Sequence, residues 1–202
     1  MSLTSTPDRS NPWQTLETRR FYESPYLDME EDTVLHRSGC THPYTAARFR
    51  VHGIAVVPIL CDGSTRLIGQ YRYLAKQFTW ELPRGSDPTS IPAIETAKRE
   101  LAEETGLREG KWLELFRPLA SPGITDERAP CFVAWELDET EPTAHPEEVL
   151  TICRIPFRDA VTAAADGTIC DAVSIAAILA LYARLLRGDL PQDLLTTLRG
   201  QI

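Results

Sequence analysis

A chain of 202 residues, 43% of them hydrophobic, is long enough to bury a real core as one large domain or as one domain with an extension. Its formal charge of −8, from 21 basic and 29 acidic residues, and the lack of any basic stripe argue against a nucleic-acid-binding surface. No apolar run approaches the roughly 18 residues of a membrane span, and the opening MSLTSTPDRSNPW lacks the basic and apolar regions of a signal peptide, so a cytoplasmic protein is expected. Five scattered cysteines (Cys40, Cys61, Cys131, Cys153, Cys170) with no CxxC pair read as reduced, mostly buried small residues rather than as a disulfide frame or a zinc site.

In chain order, residues 1–11 form a polar tail expected to be disordered. Residues 12–50 form an N-terminal β segment, with short strands broken at Ser24-Pro25 and by a turn at Ser38-Gly39. It is too small to bury a core alone, so it must pack on the main domain or on a partner subunit. Residues 51–187 form the main domain. His52–Leu60 (HGIAVVPIL) is a continuous apolar strand; a turn at Asp62-Gly63 leads to strands at Thr65–Tyr73 and Phe78–Leu82. Gly85 opens a loop, Ser86-Asp87-Pro88-Thr89-Ser90, with turn composition, and the following helix ends at Gly106, a residue suited to the left-handed C′ position. Strands are predicted at Lys111–Leu119, Ala129–Leu137 and Thr151–Ile155, separated by a polar loop at 121–128 and an acidic loop at 138–148. A helix from Pro156 to Ala165 breaks at Asp166-Gly167. Cys170–Arg187 carries Ile175, Ile178, Leu179, Tyr182 and Leu186 at the spacing of a core-facing helical stripe. Residues 188–202 read as a C-terminal tail. Strands with a helix between them and a helix at the end predict an α/β fold with a mixed sheet.

Residues 85–107, GSDPTSIPAIETAKRELAEETGL, organise the rest. At 100° per residue, Glu100, Glu103 and Glu104 fall within an arc of roughly 100°, and Ile94, Ala97 and Leu101 share a neighbouring apolar arc. Three carboxylates so close raise one another's pKa unless a cation sits among them. An oxygen-only donor set suits hard divalent ions, Mg²⁺ first and Mn²⁺ or Ca²⁺ next. Acidic residues on a helix are more commonly a solvated face, so the cluster alone decides little.

The wider pattern decides more, because this stretch resembles the Nudix hydrolase box, G-x5-E-x7-R-E-U-x-E-E-x-G-U with U aliphatic. Gly85, Arg99, Glu100, Leu101, Glu103, Glu104, Gly106 and Leu107 match at the required spacing, and Ile91 stands where the box has its first Glu. The resemblance implies that Glu100 and Glu104 are the principal metal ligands, that Glu103 is a further ligand or a base, that the Arg84 carbonyl assists, and that Arg99 steadies the loop and the glutamates. The family's first Glu commonly pairs with that Arg. Since Ile91 cannot, Glu95, four residues before Arg99, is expected to take over.

Gly69–Tyr73, Trp80–Gly85, Ser121–Glu127 and Gly167–Ala172 resemble blocks of the ADP-ribose pyrophosphatase-like branch. That resemblance implies an α/β/α sandwich preceded by the N-terminal β segment, which in the branch crosses to the other subunit of a homodimer. It also implies Mg²⁺-dependent cleavage of the diphosphate of a nucleoside diphosphate sugar, ADP-ribose to AMP and ribose 5-phosphate foremost. A catalytically silent sugar-nucleotide-binding module and a dinucleotide hydrolase are the alternatives. Arg72 sits where the family binds substrate phosphates, and a guanidinium suits bidentate phosphate contact. Glu81 either orients Arg72 or substrate, or is a structural partner of Arg99. Glu127 and Arg128 are candidates for the sugar or phosphates, and Gly123 for loop conformation. Glu147 and Glu148 match the position of the family's general base, against Glu103 or solvent. Tyr26, Phe49 and Trp80 are candidates for stacking on a base, with core packing the competing fate of each.

Overall fold

The computed structural model describes residues 8, 10–143 and 149–201. They divide into two units, the described residues up to 50 with 121–126, and those of 51–120 with the described residues from 127 onward. The first unit is an antiparallel meander of β1 (Trp13–Glu23), β2 (Leu27–His36) and β3 (Thr41–Phe49), so the expected short strands are three long ones. Two bulges, at Leu16 and Phe21, let β1 stay paired along its whole length. Along β2, Asp28, Glu30 and Asp32 recur with period two on one face and are buried. Arg20 from β1, Arg48 from β3 and Arg50 just after β3 neutralise them, with Arg48 3.1 Å from Asp32 and Arg50 2.7 Å from Asp28.

The second unit holds β4 (Val51–Ile59), β5 (Ser64–Arg72), β6 (Gln77–Glu81), β7 (Arg84–Pro88), α1 (Ala93–Thr105), β8 (Leu107–Arg108), β9 (Lys111–Phe116), β10 (Cys131–Trp135), β11 (Asp138–Glu139), β12 (Thr151–Pro156), α2 (Phe157–Asp166), α3 (Ala172–Arg187) and α4 (Gln192–Leu198). One sheet runs β7-β4-β10-β9, with β4 and β10 parallel and the other pairs antiparallel; a second runs β12-β5-β6. This is a mixed α/β fold. From Ile54 to Ile59, β4 carries no polar side chain because both of its faces are covered. Ile54 and Val56 join Phe132, Ala134, Ala97 and Leu101 on the α1 side. Ala55, Val57 and Ile59 join Cys131, Val133, Ala177, Ile178 and Leu181 on the α2–α3 side.

Three expectations change. Arg84–Pro88 is not loop but β7, paired with Val51–Ala55, because its main-chain donors and acceptors lie at the open edge of β4 and ladder pairing satisfies them. The buried face of α3 is Val173, Ser174, Ala177, Ile178, Leu181 and Leu185, while Leu186 is 54% exposed. α3 is apolar nearly all round, so its periodicity marks no single face, and small Ala177 and Ser174 allow the closest approach to the sheet. Residues 188–202 are not a tail: α4 inserts Leu194 and Leu198, both fully buried, into the larger core, worth about 2 kcal/mol each. Among the described residues, no helix is long and apolar enough to cross a membrane.

Cys131 is fully buried in β10, and burial pushes its thiol up to about 12. A thiol held protonated is a poor nucleophile. At pH 8 an alkylating reagent is therefore expected to label the exposed Cys40, Cys61 and Cys170 and to spare Cys131 until the protein is unfolded. Peptide mass mapping reads this directly; prompt labelling of Cys131 in native protein would show that the sheet opens.

Candidate active site

α1 leaves the sheet after β7, and its register decides which carboxylates turn toward that strand. Ala97 and Leu101 face the sheet and are fully buried. Glu100 and Glu104, one residue before and three after Leu101, therefore flank the apolar stripe on the side nearest β7. Gly106, at φ +71°, ends the helix and donates its amide to the Ala102 carbonyl.

Glu104 is only 6% exposed, and its Oε2 accepts the Arg84 amide at 2.9 Å. Glu100 lies against Gly85. A Cβ on residue 85 would come within 1.8 Å of the Glu100 Cδ and 2.0 Å of its Oε1, so only glycine leaves room for this carboxylate. Burial raises the Glu100 pKa, and Arg99 opposes that rise. Glu103 is more open and receives Arg99 Nη1 at 2.6 Å.

Arg99 gathers the acidic groups. Its Nη2 lies 2.8 Å from Asp87 and 2.7 Å from Glu100. Glu95 instead pairs with Lys98 at 3.0 Å, which corrects the expectation that Glu95 replaces the missing first Glu. The reason is geometric: Asp87, on β7, reaches Arg99 from across the helix–strand junction, so Ile91 costs the arginine no partner. Asp87→Ala is expected to lower kcat/KM about tenfold, the value of one charge-assisted contact. Glu95→Ala, which removes an exposed pair, should change stability by less than about 0.5 kcal/mol and leave turnover unaltered. Parallel kinetics and thermal melts of the two variants check this; equal losses would restore the role to Glu95.

A pocket of about 260 Å³ opens beside this cluster, lined by Gly53, Arg72, Arg84, Gly85, Ser86 and Glu127. Gly85 thus borders both the Glu100 carboxylate and the pocket. Arg72 is clamped by Glu81, through Nε to Oε1 at 2.8 Å and Nη2 to Oε2 at 2.5 Å, and Thr79 donates to the same Oε1. Burial would raise the Glu81 pKa, but the Arg72 and Thr79 hydrogen bonds and the Arg72 charge bring it below the usual carboxylate value. Glu81 is therefore the partner of Arg72, and the alternative pairing with Arg99 is not found. Burial raises the Glu127 pKa, with Arg84 acting in the opposite direction.

Arg128 is exposed, bridges to Leu119 and is not among the pocket's lining residues. Gly123 belongs to the first unit, where its carbonyl accepts the Tyr44 hydroxyl. Its φ is not positive and a Cβ there would meet nothing within 4 Å, so loop conformation does not require glycine, contrary to expectation. Tyr26 is 65% exposed rather than packed in a core; Trp80 is half-buried, edge-on to Phe78 at 5.3 Å. Glu147 and Glu148 lie outside the described residues. The sequence passed over Asp87, Ser86, Gly53, Asp171 and the Arg84 side chain. Only the position of Asp87 just ahead of the helix carried a signal, because the others depend on long-range pairing.

Among the described residues, no three His, Cys, Asp or Glu side chains converge as they stand on one metal position, since Arg99 draws Glu100 and Glu103 to itself. The donor chemistry nonetheless fits a hard cation: Glu100, Glu103 and Glu104 offer only oxygen, and the space a Cβ would fill at Gly85 is what brings Glu100 to the strand.

Comparison with known proteins identifies the family. Residues 51–177 match the family model described as the NUDIX domain. An ADP-ribose pyrophosphatase of Mycobacterium tuberculosis is 35% identical over 133 residues, 64% of this chain and 64% of that protein. An ADP-ribose pyrophosphatase of Bacillus subtilis is 28% identical over 127 residues, 62% of this chain and 69% of that protein. A GDP-mannose pyrophosphatase of Yersinia pestis is 35% identical over 91 residues, 44% of this chain and 45% of that protein. The crystal structure of an ADP compounds hydrolase superposes with a TM-score of 0.77 at 20% identity, covering 89% of this chain and 98% of that one.

Proposed function

The chain belongs to the Nudix family, and from that premise we propose that it hydrolyses the diphosphate linkage of a nucleoside diphosphate sugar, ADP-ribose first, to AMP and ribose 5-phosphate. One observation carries the reading: Gly85 is shared between the half-buried carboxylate of Glu100 and a pocket holding two guanidinium groups. Acidic groups that suit a divalent cation thus adjoin basic groups that suit phosphate. The M. tuberculosis and B. subtilis relatives named ADP-ribose pyrophosphatase support the substrate class.

In this reading Glu100, Glu103, Glu104 and the Arg84 carbonyl hold Mg²⁺, or Mn²⁺ in its place. Such ions, when bound, polarise the diphosphate oxygens and lower the pKa of a bound water. Arg99 and Asp87 keep the carboxylates in one orientation. Arg72, fixed by Glu81, contacts a substrate phosphate, and Glu127 reaches the sugar or a phosphate. The proton of the attacking water goes to Glu147 or Glu148, with Glu103 as the competing acceptor; a loss of kcat in Glu103→Gln that excess Mg²⁺ does not restore, with Glu147→Gln and Glu148→Gln fully active, would favour Glu103. The silent-module alternative loses its motive, because Asp87 supplies Arg99 with the partner that Ile91 does not.

We assign the first unit to homodimer formation. Leu16, Phe21 and Tyr22 stand exposed on β1, more apolar surface than a monomer's lone strand edge usually presents. Light scattering should return twice the chain's 22.6 kDa. Cysteines without disulfide partners fit a reducing, cytoplasmic setting.

The deciding experiment is product chromatography with ADP-ribose, ADP-glucose, GDP-mannose, NADH and diadenosine polyphosphates, with Mg²⁺ and with EDTA. Metal-dependent release of AMP from ADP-ribose is expected. Saturable binding of a sugar nucleotide with no turnover of any substrate would replace the enzyme with the binding module.

A further inference from the structure

Arg72 is the guanidinium that the family likeness assigns to phosphate, yet one edge of its fork is already engaged. Its Nε and one Nη2 hydrogen, the side edge of the fork, both donate to Glu81. The end of the fork, two Nη1 hydrogens and the second Nη2 hydrogen, remains for a ligand. Arg84 is the reverse case. Its Nη1 donates to Asp171 Oδ1 at 2.5 Å and lies 3.7 Å from Glu81 Oε2. Among the described residues, its Nε and Nη2 meet no hydrogen-bond acceptor, although the side chain is only 20% exposed and lines the pocket. A guanidinium this enclosed, with a whole edge unengaged, is the donor set an anionic ligand completes.

The orientation is not accidental, because Asp171 is itself fixed. It is the N-cap of α3, its Oδ2 accepting the Ser174 amide at 2.8 Å and the Ser174 hydroxyl at 2.7 Å. Ser174, fully buried, in turn accepts the Leu82 amide at 2.9 Å. Two bonds therefore tie the segment Leu82-Pro83-Arg84 to the start of α3, and both pass through the Asp171–Ser174 cap. From the front, the Arg84 amide holds Glu104. One residue thus sets a carboxylate with its main chain and faces the pocket with its side chain.

We propose that Arg84 makes a bidentate contact to the diphosphate of the substrate through its Nε–Nη2 edge, that Asp171 is the positioning residue that turns this edge into the pocket, and that Arg72, its side edge held by Glu81, contributes only the end of its fork. The proposal rests on the nucleotide-sugar reading for the identity of the ligand. It adds a specificity element supplied by the cap of a helix distant in sequence.

The test joins steady-state kinetics on ADP-ribose with calorimetric binding of ADP in EDTA. Arg84→Ala should weaken ADP binding and raise KM by about tenfold or more, the scale of hydrogen bonds to a charged group, with the thermal transition retained. Arg84→Lys, a point charge without a fork, should recover only part of the loss. Asp171→Asn should raise KM in the native background and add nothing in the Arg84→Ala background. If Arg84→Ala fails to fold, Arg84→Gln, which can still reach Asp171, carries the same comparison. ADP affinity and KM unchanged in the Arg84 variants would overturn the proposal, as would full additivity of the two substitutions. A wild-type protein that binds ADP but cleaves no sugar nucleotide would sink the hydrolase reading, while the calorimetry would still decide the Arg84 contact.

Discussion

Glu104→Gln is expected to lower kcat roughly a thousandfold, the equivalent of about 4 kcal/mol of transition-state stabilisation, while changing the melting temperature far less. The two halves of this result have separate causes. The carboxylate is buried, and it lies in the last turn of α1, where the helix carries no basic residue and where the partial negative charge of the helix end disfavours an anion by about 0.5 kcal/mol. A glutamine amide keeps the shape, and its oxygen still accepts the Arg84 amide. The change therefore keeps the hydrogen bond to Arg84 and gives up the attraction between the Glu104 charge and Arg72, so its larger cost falls on a function that needs the negative charge. Kinetics with saturating Mg²⁺ beside calorimetric melts would measure both. Full activity in the variant would end the metal-hydrolase reading; a fall in melting temperature that tracked the fall in kcat would reassign Glu104 to the fold.

Gly85→Ala should cost about a hundredfold or more in kcat, the scale of a misplaced catalytic group, for less than about 1 kcal/mol of stability. The added methyl would occupy the position of the Glu100 carboxylate, within 2.3 Å of its Cγ. What must move is the end of a flexible side chain, not backbone, and burial already disfavours its charge. Folding thus tolerates the substitution while the acidic cluster loses a member. Two controls sharpen the result. Gly200→Ala, where the methyl meets nothing within 4 Å, should leave turnover unchanged. In a Glu100→Gln background, Gly85→Ala should add little, since the group it displaces has been neutralised. An additive loss would mean that the methyl acts on the pocket rather than through Glu100.

The apolar run at 52–60, the period of α1 and the left-handed glycine at 106 are local signals. Each fixes its element without help, because burial on both faces, a helical stripe and a positive φ leave marks on residue type at known spacing. The sequence by itself therefore determined the mixed α/β class and the helix that carries Glu100, Glu103 and Glu104 and ends at Gly106. Tertiary structure decided what that helix meets. Asp87 rather than Glu95 partners Arg99, because β7 pairs with β4 and carries Asp87 to the helix. α4 is core rather than tail, because Leu194 and Leu198 join a buried cluster drawn from strands and helices spread over residues 55–185. Arg84 presents its unengaged edge, because α3 returns its N-cap to a strand 87 residues earlier. A pairing partner is a property of three-dimensional proximity, and no spacing within a single segment encodes it.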